Sequence, residues 1–251
     1  MNSIVISIVA LVLLFGGALL GLFISGRLPR HHLTSENKEV VMLGMGLVGT
    51  IAGIALGLLI GSAYSYHNEQ TAELVQVSAD VAALGKLLRH YGPEANEARE
   101  SLRTTVEQVL GSDWLTEQTQ ELKSATTTSP LDRVYSQVRD LPAKDEGQRM
   151  IKSESLGLLK SLSKMRLLIV EQTATTALNP LLFVMISWLT AIFLSWGLFA
   201  PRSAAAMSTF LVAAICVSGA IFMVLELYTP YSGLLRISTA PLRLACESLG
   251  R

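Results

Sequence analysis

The sequence predicts an all-α integral membrane protein with four transmembrane helices and a helical extramembrane domain inserted between the second and third. Three observations carry that prediction. Four stretches of about 20 residues hold no charged side chain: 4–24, 40–63, 181–200 and 203–225. The second repeats glycine every fourth residue, at Gly49, Gly53, Gly57 and Gly61. The polar segment between the second and third stretches carries apolar residues at helical spacing throughout. Composition agrees, with 50% hydrophobic residues, only 16% charged residues and a mean hydropathy of +0.44.

The first stretch has no Lys or Arg before it and exceeds the usual signal-peptide core of about 7–15 residues, so it is read as a retained span. It carries Gly17, Gly21 and Ser25, small residues four apart. In the second, six glycines lie between Gly44 and Gly61. Each costs about 1 kcal/mol relative to alanine in a soluble helix. In lipid the helix persists, and glycine lets another backbone approach. Gly46, Gly49, Gly53, Gly57 and Gly61 share a sector of about 120°, with Gly44 opposite. Three uses of that face are open: packing on the first span, packing between subunits, or lining a conduction path.

The insert, 64–179, is long enough to form a domain. Leu74, Val77, Val81, Leu84, Leu88 and Tyr91 make a 3–4 seam, and no breaker separates it from the second span. Gly92 stops this helix and Pro93 opens the next, whose face is Ala95, Ala98, Leu102, Val106 and Val109. Ser124 to Ser129 reads as a loop, and Ser129, Pro130 and Asp132 as the cap and first turn of a short helix ending before Pro142. A last long helix starts at Asp145 with Leu158, Leu162, Met165 and Ile169 on one side. Asn179 and Pro180 mark a break or kink before the third span. Only Pro201, Arg202 and Ser203 separate spans three and four, which requires a tight hairpin. The resulting domains are 1–63, 64–179, 180–229 and an amphipathic tail, 230–251.

Several functions lose support. No Walker loop, GxSxG elbow, HExxH or paired-cysteine motif is present, so no enzyme, catalytic residue or cofactor is expected. Cys216 and Cys246 form no framework by spacing. The adjacent pair His31 and His32 lacks a third metal ligand and reads as an interfacial loop. Zero formal net charge without a basic run gives no support for nucleic acid as a partner. Intramembrane charge is nearly absent, which counts against active transport more than against a channel. Glu226 comes closest, beside Tyr228 and Tyr231. It reads as an interfacial carboxylate, a pore-mouth ring in an oligomer, or a partner for Arg202 or Arg236. Arg27, Arg30, Lys38 and Arg202 in the short loops nearly balance Lys160, Lys164, Arg166, Arg236 and Arg243 across the membrane, so orientation is not set.

Several segments carry a family resemblance. They are Arg27-Leu-Pro-Arg-His-His32 with Lys38 and Leu43-Gly-Met-Gly46, then His90-Tyr-Gly-Pro-Glu-Ala95, then Trp188-Leu189 through Gly197-Leu-Phe-Ala-Pro-Arg202. The tail adds Leu225-Glu226, Pro230-Tyr231, Gly233, Ser238 and Pro241-Leu-Arg243. Together they resemble the bestrophin-like family of bacterial membrane proteins, over essentially the whole chain. The layout is also similar to that of bestrophins, oligomeric anion channels with four membrane helices and a helical region between the second and third. The glycine-striped second span departs from the phenylalanine-rich bestrophin neck, so no pore residue is carried over. The resemblance implies a homo-oligomer in the lipid bilayer that conducts small inorganic ions. The alternative is a non-conducting scaffold or sensor whose helical domain binds a partner.

Overall fold

A computed structural model describes residues 3–27, 35–111, 129–174, 178–230 and 233–250. Arg30, His31, His32, the Ser124–Thr128 stretch and Tyr231 lie outside them. Every regular element among the described residues is helical: α1 (Ser3–Ser25), α2 (Ser35–Tyr91), a 3-10 turn (Pro93–Ala95), α3 (Asn96–Gly111), α4 (Pro130–Asp140), α5 (Glu146–Ala174), α6 (Leu178–Phe199), α7 (Ala204–Leu227) and α8 (Ala240–Leu249). Four of these, α1, α2, α6 and α7, are long and apolar enough to cross a membrane. The chain divides into two compact units, 1–68 with 177–236, and 69–176 with 237–251. Helix α2 contributes to both.

In the first unit, α1 packs on α6 and α7. Its buried residues, Ala10, Leu14, Gly17, Ala18, Gly21 and Leu22, recur at three and four, the spacing of a single helix face. Ala10, Leu14 and Ala18 join Met185, Leu189, Ile192 and Phe193 of α6 and Ile221, Val224 and Leu225 of α7 in one core. Helix α2 adds Ala52, Leu59 and Ala63. The α6–α7 connection is closed by Ser203, whose hydroxyl accepts from the Ala206 amide at 3.2 Å, satisfying one of the orphan donors at the start of α7. Pro180 falls in the first turn of α6, where its missing N–H breaks no intrahelical bond. The junction between the insert's last helix and α6, residues 175–177, lies outside the described residues.

The second unit is built on the expected seam, with Leu74, Val81, Leu84, Leu88 and Tyr91 buried. Helix α3 packs on α4 and α8, and α4 on α5. Ser129 and Asp132 form a reciprocal capping box: Leu131 N donates to Ser129 Oγ (3.3 Å) and Ser129 N to Asp132 Oδ2 (3.1 Å). Gly92 adopts φ 120°, the left-handed region that glycine tolerates, and so ends α2. The start of α5 is tied back to that corner. Gln148 Nε2 donates to the Tyr91 carbonyl at 3.0 Å, and Lys144 pairs with Glu94. The face of α5 is a correction. Its fully buried positions are Ser155 and Leu159, with Leu162 beside them, whereas Leu158 and Met165 are only half-buried. The face is therefore rotated from the expected one, because a buried serine was not counted in an apolar stripe.

Candidate functional site

The second span differs from the other three in how little of it the chain covers. Of its most apolar 18 residues only 11% are buried, against 33% for α1, 33% for α6 and 39% for α7. One face of the span, centred on Ala52, Leu59 and Ala63, enters the core. At about 100° per residue, Gly49, Gly53, Gly46, Gly57 and Gly61 lie between about 60° and 180° from Ala52. Leu43, Leu47, Ile54 and Leu58 follow, and they are 76%, 65%, 61% and 72% exposed.

Among the described residues almost nothing covers this glycine face. A methyl group at Gly46, Gly53, Gly57 or Gly61 would meet nothing within 4 Å, and at Gly49 only Ile192 Cδ1 at 4.0 Å. Nor do the small faces of the first and second apolar helices meet among the described residues. Gly17 and Gly21 face α6 instead. A methyl on Gly17 would lie 3.2 Å from the Thr190 carbonyl oxygen, and one on Gly21 would collide with the backbone of Leu194, Gly197 and Leu198. Gly197 returns the contact, pressed on the backbone of Ala18. Ser25 is half-buried at the end of α1. Gly197 was legible in the sequence as a lone glycine in an apolar helix, but its partner was not.

The two charged candidates serve backbone. Arg202 reaches across the bundle, its Nη2 donating to the Leu22 carbonyl at 3.2 Å, and Gly26 leaves the room its guanidinium occupies. A cation thus sits on the open carbonyls of the last turn of α1, where the helix dipole favours it. Glu226 is 3% exposed. Its Oε1 accepts from the Leu234 amide and, at 3.4 Å, from the Leu235 amide. Gly233, at φ 136°, lies so close that a side chain there would strike the carboxylate. The carboxylate is turned inward and holds the turn that follows α7. It does not pair with Arg236, whose Nε donates to the Gly233 carbonyl at 2.9 Å. Sequence reasoning gave Gly233 no role beside Glu226 and missed the Leu234 and Leu235 amides, since a backbone ligand leaves no side-chain signal. Nearby, Tyr228 stacks on Tyr66 with centroids 5.3 Å apart, and its hydroxyl lies 3.1 Å from Ser62 Oγ.

Among the described residues no group of acids, histidines and cysteines could hold a metal ion, and both cysteines are free. What the first unit offers is one long apolar face with its backbone bared by glycine, in a helix of membrane-spanning length.

The family model of the Bestrophin-like domain matches residues 12–242. No curated protein matches the chain. Among solved structures, a point variant of a bacterial bestrophin homologue from Klebsiella pneumoniae superposes with a TM-score of 0.67 at 16% identity, covering 97% of each chain. A second variant of that homologue gives 0.65 at 16% identity, covering 96% of this chain and 98% of the other. The fold is shared along its length although few residues are. With 12–242 matched, the chain belongs to the bestrophin-like family.

Proposed function

We propose that this protein is an oligomeric anion channel of the bacterial inner membrane, assembled through the uncovered face of α2. Helices α1, α2, α6 and α7 are its four spans, and the helical region between α2 and α6 lies outside the bilayer. The observation that carries the reading is the open glycine face. In lipid, helices associate by close packing where small residues let backbones meet, and among the described residues this face has no partner. The glycines pack on the α2 of a neighbouring copy, and the strip of Leu43, Leu47, Ile54 and Leu58 turns toward the ring axis. An apolar constriction of that kind gates by dewetting and needs no buried charge.

Anions are favoured over cations by the fate of the one intramembrane acid. A carboxylate ring at a pore mouth selects cations, and Glu226 is committed to backbone amides. The bestrophin resemblance points the same way. The test is planar-bilayer recording of the purified protein under a chloride gradient. A reversal potential near that of chloride supports the proposal. An intact oligomer that never conducts, across voltage and pH, overturns it in favour of a scaffold.

A further inference from the structure

At the end of the first unit where α6 turns into α7, residues 38–45 of α2 run beside residues 195–201. A groove of about 400 Å³ lies between them. Met42, Met45, Trp196 and Phe199 make its walls, and buried Ser195 and Lys38 also line it. Met42 is 50% exposed and Trp196 40%, so the apolar walls open outward.

Position decides what meets those walls. Both helix segments end a membrane span, where the surrounding medium changes from acyl chain to headgroup and where tryptophan concentrates. Lys38 precedes the uncharged stretch by two residues, so its ammonium reaches headgroup level while its stem covers apolar surface. Among the described residues Lys38 makes no ion pair. Exposed Glu39 projects about 100° away around the helix. Among the described residues, the other cations at this end are engaged with α1: Arg202 on the Leu22 carbonyl, and Arg27 over the Phe23 ring at 3.9 Å. Among those residues Lys38 is the cation that lines the groove.

We propose that the groove binds one anionic phospholipid, with its phosphate at Lys38 and an acyl chain along Met42, Met45 and Phe199. Methionine suits such a wall, because its flexible thioether adapts to a mobile chain. A basic residue lining an apolar cleft between membrane helices matches an anionic headgroup in charge. This site stands apart from the conduction proposal and holds whether or not the protein conducts.

The probe is Trp196. With Trp114→Phe and Trp188→Phe it becomes the chain's one tryptophan, and the full-length protein is placed in vesicles containing brominated phosphatidylglycerol or brominated phosphatidylcholine as the minor lipid. Trp196 fluorescence is expected to be quenched preferentially by the brominated phosphatidylglycerol. Lys38→Gln is expected to weaken that preference about fivefold, the share of one surface cation, and Lys38→Arg to keep it. Equal quenching by the two lipids in the otherwise native chain overturns the proposal. So does a preference undiminished by Lys38→Gln, or quenching by neither lipid, which would place a second copy of the chain in the groove.

Discussion

Helices α1 and α2 each carry small residues four apart, and the chain treats them in opposite ways. On α1, Gly17 and Gly21 lie against the backbone of α6, and Gly197 returns the contact on Ala18. On α2, a Cβ at Gly46, Gly53, Gly57 or Gly61 would meet nothing within 4 Å among the described residues. The same local pattern is thus satisfied once within the chain and once left over. A leftover face of this kind is wasted unless something outside the chain uses it, because glycine weakens a helix by about 1 kcal/mol wherever close approach is not the return.

The sharpest break in this comparison is steric. Gly21→Leu forces the α1 and α6 backbones apart, with an expected loss of about 1–3 kcal/mol or more in thermal unfolding of the detergent-solubilised protein. At Gly57 even a Cβ meets nothing within 4 Å among the described residues, so in Gly57→Leu the fold should survive while assembly is lost. If both variants unfold alike, the two faces are not different in kind. Next in size is Glu226→Ala, which strips the acceptor from two backbone amides in the turn after α7. An expected cost of about 1–3 kcal/mol follows from leaving buried donors unmatched, read as a lower Tm and faster proteolysis at the turn.

Two smaller effects lie in the second unit. Tyr91 is 2% exposed and its hydroxyl has no hydrogen-bond partner. Burial, with Glu94 and Asp145 nearby, pushes its phenol above the ordinary range. Tyr91→Phe should therefore leave the Tm at pH 7 unchanged or slightly raised; a marked drop would mean the hydroxyl is bonded. The smallest effect belongs to Glu94 and Lys144. The hydrogen bond between them holds the Glu94 carboxyl below its usual range and the Lys144 ammonium above its own. The pair's contribution is present between the two unfolded values. It fades as pH falls through the lowered carboxylate pKa or rises through the raised lysine pKa. A Glu94→Gln variant should narrow the Tm difference from wild type at both extremes of pH, and a gap constant with pH would contradict this.

Much of this was legible in the sequence because the signals are local. The seam from Leu74 to Tyr91, the Ser129–Asp132 cap and the stop at Gly92 each need only neighbours within a few residues. The partner of each glycine stripe was not legible. Spacing shows that a helix face is small, but not which of three other spans meets it, and Gly17 and Gly21 chose α6. Glu226 failed for a related reason: its ligands are the amides of Leu234 and Leu235, which carry no residue-specific mark. Arg202 likewise acts on a carbonyl, at Leu22, across 180 residues of sequence.

Native mass spectrometry of the protein released from lipid nanodiscs tests assembly through α2 most directly. The wild type should appear as a closed multiple of the 27.1 kDa chain, and Gly53→Leu with Gly57→Leu should shift it toward single, folded chains. A wild type that is one chain per particle, or a double variant of unchanged mass, would contradict it.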